Sequence, residues 1–289
     1  MLSIQNISKS FGDVHALKNV SFDLKPGLFG LLGPNGAGKS TLMRTLATLQ
    51  KPDNGTVTFK GQNIVSAPDI VRRQLGYLPQ DFGVYPRMSA EALLNHIGIL
   101  KGLSNKKERQ AQVHQLLHNV NLFKFKTASV ATFSGGMRQR FGVAQAMLGD
   151  PKILIVDEPT AGLDPFERQR FLDLLSEAGE DKIIILSTHI VEDVRDLCPD
   201  MAILGEGELV ARGGPEDLIN KIRGKVWRKK VEKKDVEGLK KTHQVLSTRL
   251  LMGGVIITIL ADAKPATGFE VAAEPVLEDA YFAHLYRFV

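Results

Sequence analysis

A glycine-rich segment, GPNGAGKST, has the residue types and spacing of a loop that binds phosphate. Gly33 and Gly38 lie five residues apart and are followed by Lys39 and a hydroxyl residue, the pattern of a loop whose backbone amides surround an anion. Lys39 would reach the β- and γ-phosphates, and Ser40 would place its hydroxyl on Mg²⁺. We therefore predict a nucleoside triphosphate site formed by Gly33, Pro34, Asn35, Gly36, Ala37, Gly38, Lys39, Ser40 and Thr41.

A second group of polar residues follows apolar segments that are typical of buried strands. The segment ILIVDEP leads from such a strand into Asp157 and Glu158. We expect Asp157 to hold the water shell of Mg²⁺ and Glu158 to be the base that activates the attacking water. Gln80 follows a predicted strand over Leu75–Leu78. Its amide oxygen suits a Mg²⁺ ligand or a group that orients water.

His189 follows a further apolar strand, predicted over residues 182–186. A single histidine is more often a surface or capping residue. The strand before it, however, is expected to lie beside the strand that carries the catalytic acid, and neighbouring parallel strands end at one edge of a sheet. The sequence therefore predicts that Lys39, Gln80, Glu158 and His189 form one catalytic group.

Two further segments begin helices. FSGGMRQR opens an apolar helix predicted to run to Leu148. Its Ser134, Gly135 and Gly136 would form a second anion site, with the hydroxyl and the amides pointing outward from the helix start. In AGLDP, Asp164 and the following proline suit the cap and the first position of another helix.

Hydrophobic patterns outline the elements that would position these residues. Alternating apolar residues before the loop predict antiparallel strands, with turns at Phe11–Gly12 and Pro26–Gly27. Phe11 could stack on an adenine, but an ordinary core role is a serious alternative for a phenylalanine. From Ser89 to about Asn121 the pattern is helical, with Ser104 available as a cap. One face of this region carries Val113, Leu116, Leu117 and Val120.

Composition sets the broad class. With 289 residues, 43% of them hydrophobic, the chain can form a full core and suggests a main domain with an appendage. Its single cysteine excludes an internal disulfide framework and favours a reducing compartment. We expect no signal peptide and no membrane-spanning helix, since the apolar runs are far shorter than about 18 to 20 residues.

Together, the motifs resemble those of the ATP-binding subunit of an ABC transporter. The phosphate loop GPNGAGKST, Gln80, FSGGMRQR, ILIVDEP, AGLDP and His189 follow in that family's order and span residues 1 to about 220. The resemblance implies an α/β fold: a P-loop NTPase core of mostly parallel sheet, an N-terminal antiparallel β subdomain and a helical insertion at about 85–148. A small α+β appendage would follow over residues 221–289.

The resemblance also implies partners and a location. The expected assembly is a head-to-tail homodimer or heterodimer with two ATP molecules and Mg²⁺ at its interface. Each ATP would lie between the phosphate loop of one subunit and Ser134, Gly135 and Gly136 of the other, with Asp164 nearby. A separate transmembrane permease would hold the subunit at the cytoplasmic face of the membrane. Met137 stands where the commonest pattern has Gln, a change frequent in the branch that resembles drug, lipid or polysaccharide exporters.

The region after residue 220 has a different composition. Between Lys221 and Lys241, ten Lys or Arg residues stand against three acids, a net charge of +7. A solvated face is the simplest interpretation, and contact with anionic lipid or with a partner is the alternative. We predict a strand over Leu250–Leu260 and a closing helix in PVLEDAYFAHL, with Pro275 at its start.

Two other functions fit the same motifs. One is a soluble ATPase of this family that acts on nucleic acid or ribosomes, although such relatives usually carry two cassettes or a long coiled coil, so we expect no nucleic acid partner. The other is a nucleotide-binding regulator without turnover, which the presence of Glu158 and His189 disfavours. For the transporter, we predict that Phe82, Val84 and Tyr85 are exposed and form part of the surface that docks the permease.

Overall fold

The computed structural model describes residues 1–80, 82–83, 85–160, 163–179, 181–251, 253–265, 268–271 and 274–289. Val84 and the first two residues of AGLDP lie outside these ranges. The chain begins with β1 (Leu2–Phe11), β2 (Val14–Leu24), β3 (Gly27–Leu32), α1 (Lys39–Leu46), β4 (Asn54–Phe59) and β5 (Gln62–Asn63). β1 pairs antiparallel with β2 and β4, which confirms the predicted N-terminal antiparallel sheet.

The next part of the chain is mostly helical. Its elements are α2 (Asp69–Arg72), β6 (Leu75–Leu78), α3 (Ala90–Leu100), α4 (Lys106–Asn119) and α5 (Gly135–Met147). The predicted apolar face is confirmed, because Val113, Leu116, Leu117 and Val120 are all buried. The predicted cap was wrong by one residue: the side chain of Asn105, and not of Ser104, accepts hydrogen bonds from the first-turn amides of α4.

The segment between β6 and α3 differs from the prediction at Phe82. This side chain is partly buried against the core, and a Cβ added to Gly142 of α5 would lie 2.7 Å from its ring. Phe82 therefore fills a space that the glycine leaves open, and it does not form an exposed docking surface. Tyr85 is exposed as predicted, and its ring lies edge-on to that of His96 with centroids 6.2 Å apart.

The central sheet is completed by the next part of the chain. It comprises β7 (Ile153–Asp157), α6 (Pro165–Glu177), β8 (Ile183–Thr188), α7 (Val191–Leu197), β9 (Asp200–Gly205) and β10 (Glu208–Gly213). The strand order is β10-β9-β3-β8-β7-β6, with only the β9–β10 pair antiparallel in the described part of the sheet. The parallel strands β3, β6, β7 and β8 therefore end at one edge.

The C-terminal region forms a further small sheet between helices. Its elements are α8 (Pro215–Asn220), β11 (Val226–Val231), α9 (Val236–Thr242), β12 (Gln244–Leu251), β13 (Gly254–Leu260), β14 (Glu270–Val271) and α10 (Leu277–Leu285). The single strand predicted over Leu250–Leu260 was wrong. The chain reverses at Gly253, which has φ 77°, so the predicted strand is the end of β12 plus all of β13. The closing helix is confirmed, but it begins two residues after Pro275.

One hydrophobic core joins the central sheet to the C-terminal region. Leu186 and Ile203 of the sheet belong to the same buried cluster as Leu277 and Tyr281 of α10. The division at residue 220 stays a prediction. In the basic stretch, Lys230, like most of the other lysines, is exposed, which fits a solvated face.

These elements confirm the predicted fold class. The core is a mostly parallel sheet between helices, preceded by an antiparallel sheet and interrupted by the helical region. Within the described residues, every helix is too short or too polar to span a bilayer.

Candidate nucleotide-binding site

An open cavity of about 780 Å³ lies where strands β3, β7 and β8 end. Its walls combine residues of the phosphate loop with residues that follow strands β6, β7 and β8. The lining residues are Val14, His15, Ala16, Lys18, Asn35, Gly36, Gly38, Lys39, Ser40, Thr41, Gln80, Glu158, His189 and Glu206. The predicted catalytic group, Lys39, Gln80, Glu158 and His189, is thus brought together in one cavity.

The phosphate loop needs glycine at two positions, Gly36 and Gly38. Gly36 has φ 81° and Gly38 has φ 102°, a backbone conformation that side chains with a Cβ rarely adopt. A Cβ on Gly38 would also lie 2.3 Å from the carbonyl oxygen of Ala16, so the loop packs directly against β2. Helix α1 begins immediately afterwards at Lys39 and directs its N-terminal amides at the cavity.

Lys39 is held tightly at the base of the cavity. Its side chain is 4% exposed, and its ammonium donates hydrogen bonds to the carbonyl oxygens of Gly33 at 2.8 Å and Pro34 at 3.2 Å. The same ammonium lies 3.1 Å from Oε1 of Glu158. A buried ammonium needs such partners, because burial without them costs several kcal/mol. The loop carbonyls thus hold the Lys39 ammonium beside Glu158, the residue that follows β7.

Glu158 sits at the centre of the polar network. Its Oε2 lies 3.1 Å from Nδ1 of His189, while its other oxygen contacts Lys39. Its φ is 48°, and its backbone N–H donates to the carbonyl oxygen of Ser187 at 3.0 Å. A glutamate in this left-handed conformation is strained, and such strain persists where the surrounding structure fixes it. The bond to β8 supplies that constraint and fixes the carboxylate toward the cavity.

Asp157 lies deeper than the cavity wall. It is 2% exposed, does not line the cavity, and accepts a hydrogen bond from the hydroxyl of Ser187. Burial, together with the nearby Asp157 carboxylate, raises the pKa of Tyr77. From this depth Asp157 suits a contact with water around a metal better than a contact with the nucleotide itself.

Oxygen donors in the cavity fit Mg²⁺. Ser40 and Gln80 both line it, and Mg²⁺ prefers oxygen ligands while keeping several waters and substrate phosphates in its shell. No cluster of three or more His, Cys, Asp or Glu side chains that could hold a metal occurs among the residues with described positions. Ser40 and Gln80, with Asp157 behind them, are the protein groups that would hold the ion.

Asp193 ties together the segments that flank the catalytic residues. This fully buried carboxylate accepts hydrogen bonds from Thr160 at 2.7 Å, from Nε of Arg168 at 2.6 Å and from Thr188 at 3.4 Å. It thereby joins the residues after Glu158, the start of α6 and the segment that carries His189. Asp193 was not predicted from the sequence, since nothing in its local pattern distinguishes it from an exposed acid on the first turn of a helix.

Several predicted residues lie outside this cavity. Phe11 is 53% exposed and belongs to the hairpin whose following residues line the wall. Asp164 caps α6 by accepting a hydrogen bond from the amide of Glu167 at 2.9 Å. The hydroxyl of Ser134 caps α5 by accepting from the amide of Met137 at 3.2 Å, which corrects the expectation that it points outward. Gly135 is exposed, and a Cβ there would contact nothing within 4 Å.

Other residues that line the cavity were also not predicted from the sequence. Val14, His15 and Ala16 belong to β2, and Glu206 lies in the turn between β9 and β10. This turn reaches the phosphate loop because the amide of Gly207 donates to the carbonyl oxygen of Ala37 at 3.1 Å. This contact joins segments that are far apart in the chain, so a local sequence pattern does not predict it.

Comparison with known proteins agrees with this geometry. Residues 17–161 match the family described as ABC transporter. The chain is 37% identical over 235 residues to the ABC transporter ATP-binding protein YxlF of Bacillus subtilis, an alignment that covers 81% of this chain and 78% of that protein. It is 36% identical over 225 residues to Nod factor export ATP-binding protein I of Rhizobium etli, covering 77% and 71%.

Solved structures show the same similarity. A dimeric post-hydrolysis state of the ATP-binding cassette MJ0796, bound to ADP and Pi, superposes with a TM-score of 0.68 at 27% identity and covers 74% of this chain and 98% of that chain. These findings confirm the resemblance drawn from the motifs. The chain therefore belongs to the ABC transporter family, as one of its ATP-binding subunits.

Proposed function

We propose that this subunit hydrolyses ATP with Mg²⁺ and thereby drives export through a separate transmembrane permease. The observation that carries the proposal is the single cavity in which Lys39, Ser40, Gln80, Glu158 and His189 meet. Export is favoured because a relative with 36% identity is named for Nod factor export. The site of action would be the cytoplasmic face of the membrane, where the permease holds the subunit.

The predicted site residues have distinct roles in this proposal. Lys39 and the loop amides would bind the phosphates, Ser40 and Gln80 would hold Mg²⁺, and Asp157 would accept hydrogen bonds from its water. Bound Mg²⁺ would neutralise charge on the phosphates. Glu158 accepts a proton from the attacking water, since its carboxylate lies on the wall of the cavity.

His189 would donate a hydrogen bond to the γ-phosphate while its Nδ1 stays beside Glu158. Phe11 would stack on the adenine from the edge of the cavity. The neighbouring residues Val14, His15 and Ala16 would form the wall on the same side.

The nucleotide would be enclosed by two subunits. Ser134, Gly135, Gly136 and Asp164 do not line the cavity of their own chain. The start of α5 is a helix N-terminus with an exposed glycine, which suits a phosphate brought by a partner. The similarity to a dimeric cassette supports this arrangement.

One pair of measurements tests the proposal. Purified subunit should release phosphate from ATP when Mg²⁺ is present, and should stop when Mg²⁺ is chelated or Lys39 is changed to Ala. A tagged subunit should also retain a multi-span membrane protein from detergent-solubilised membranes. Retention of ribosomes or nucleic acid in place of that protein would favour the soluble ATPase. ATP binding without phosphate release would favour the regulator.

A further inference from the structure

An ion pair joins the two helices whose N-terminal residues lie outside the cavity. Nη1 of Arg140, on α5, contacts Oε2 of Glu167, on α6. The Arg140 side chain is 10% exposed and that of Glu167 is 21% exposed, so water screens the pair only weakly. Arg170 lies at 3.7 Å from the other oxygen of Glu167 and is more exposed. Arg170 belongs to α6 itself, so it is the contact with Arg140 that joins Glu167 to α5.

Glu167 touches both of the segments that would serve the partner subunit. Its amide donates to Oδ1 of Asp164 at 2.9 Å, which fixes the residue before the helix. Its carboxylate packs against Gly136, where an added Cβ would lie 3.0 Å from Oε2 and 3.1 Å from the carboxylate carbon. Glycine at position 136 therefore has a structural role, because the missing Cβ lets the Glu167 carboxylate lie directly against the start of α5.

The pair is poorly explained as a device for stability. Nε of Arg140 is buried and has no hydrogen-bond partner among the described residues. A buried guanidinium that is only partly satisfied loses solvation that one contact does not fully return, and apolar residues in such places are often equally stable or more so. What the pair does supply is a link between the helix that carries Gly136 and the helix that Asp164 caps.

We propose that Arg140 and Glu167 are positioning residues that hold the start of α5 and Asp164 as one unit, so that both reach the partner's nucleotide together. This inference rests on the proposed shared site. It assigns the effect of the pair to the site completed by the partner's phosphate loop, and not to the cavity of the same chain. A misplacement of about 1 Å can cost about 100-fold in rate.

The variant Glu167→Gln tests the pair, because it keeps the size of the side chain and removes the charge that faces Arg140. It should lower phosphate release about 10- to 100-fold while leaving ATP affinity within about twofold. Glu177→Gln, at the exposed end of the same helix, is the matched control and should remain as active as the unmodified protein.

Two verified mixed dimers, isolated with two affinity tags, then locate the effect. The first pairs a Glu167→Gln subunit with a Lys39→Ala subunit, so that both lesions fall in one shared site and the other stays intact. The second pairs a doubly changed subunit with an unmodified one, so that each site carries one lesion. Greater activity in the first dimer is expected. Equal activities, or a more active second dimer, would overturn the inference.

Two further experiments distinguish a failure of the positioning role from a failure of the shared site and from misfolding. Lys39→Ala mixed with Gly135→Asp tests the shared site without touching the ion pair. If that mixture regains activity and the Glu167 dimers do not differ, the positioning role alone fails. If Glu167→Gln does not fold, Arg140→Lys, which keeps the charge but loses the planar fork, is taken through the same two dimers with the same expected order.

Discussion

The Lys39 ammonium and the Glu158 carboxylate lie 3.1 Å apart, and both side chains are almost fully buried. The residue proposed to bind phosphate and the residue proposed to activate water therefore neutralise each other in this structure. Entering phosphates would compete with Glu158 for Lys39. Binding of nucleotide would thus free the carboxylate oxygen that contacts Lys39, while the other oxygen stays beside His189. Nucleotide binding and activation of the base would therefore be coupled.

Removing the charge of Glu158 tests its role as the base. Glu158→Gln keeps the shape of the side chain but accepts no proton, so turnover should fall about 10²- to 10⁴-fold while ATP still binds. ATP affinity should hold or rise, because Lys39 loses its competing carboxylate. Phosphate release and equilibrium ATP binding are the measurements. Glu206→Gln, in the same cavity, is the control, and near-normal turnover in Glu158→Gln would refute the assignment.

The shared site can be tested by complementation. Lys39→Ala disables the phosphate loop, and Gly135→Asp places bulk and negative charge at the start of α5, so each variant alone should be inactive. Equal mixing gives half mixed dimers, each with one intact site. Independent sites would then restore about a quarter of the normal phosphate release if turnover follows the number of intact sites.

Strict coupling between the two sites could hide this rescue. ATP retention by the mixed dimers should therefore be measured beside phosphate release. Verified mixed dimers that neither retain nor hydrolyse ATP beyond the single variants would remove the support for a shared site.

Permease docking should depend on Tyr85. Tyr85 is 57% exposed, and its ring lies against that of His96 on the helical region. Tyr85→Asp should break co-purification with the permease and leave nucleotide binding intact, since it puts a charge into an apolar contact. Phe125→Asp is the control, because Phe125 is an exposed aromatic residue elsewhere on the same region. Undiminished permease binding by Tyr85→Asp would place the docking surface elsewhere.

Lys101 should make stability depend on pH. It donates hydrogen bonds to the carbonyl oxygens of Ala146 at 3.3 Å and Leu148 at 2.7 Å, and burial lowers its pKa to about 8. Between about pH 8 and its ordinary pKa of 10.5, the unfolded chain holds a proton that the folded protein has released. This group therefore makes the free energy of unfolding rise with pH across that window.

The comparison with Lys101→Met isolates that effect. The difference in unfolding free energy between the unmodified protein and the variant should grow in favour of the unmodified protein from pH 7.5 to pH 9.5, as followed by reversible denaturant unfolding. Lys124→Met controls for the loss of an exposed lysine. A difference that shrinks with rising pH would contradict the lowered pKa of Lys101.

Sequence patterns located the catalytic group because its residues follow strands. Gln80, Glu158 and His189 each come after an apolar run, and parallel strands carry such residues to one edge. Asp193 and Glu167 escaped notice because their partners come from other segments of the chain. Phe82 was misjudged for the same reason, since Gly142, the residue that makes room for it, is far away in sequence.

The single strand predicted in the C-terminal region was wrong for a different physical reason. Leu250 to Leu260 is apolar throughout apart from its glycines and Thr258, so hydrophobicity alone does not reveal a reversal. The two adjacent glycines were the available signal, since they tolerate the positive φ of a tight turn.

Helix α10 covers the central sheet with Leu277 and Tyr281, yet it is translated long after that sheet. About 70 residues follow Asn220, and a ribosome adds about 5 to 20 residues per second, so the uncovered face waits roughly 4 to 14 seconds for its last helix. During synthesis the apolar face of the central sheet is therefore exposed until α10 has been made. Binding of a chaperone, or of the permease itself, to that face before translation reaches α10 would prevent its aggregation.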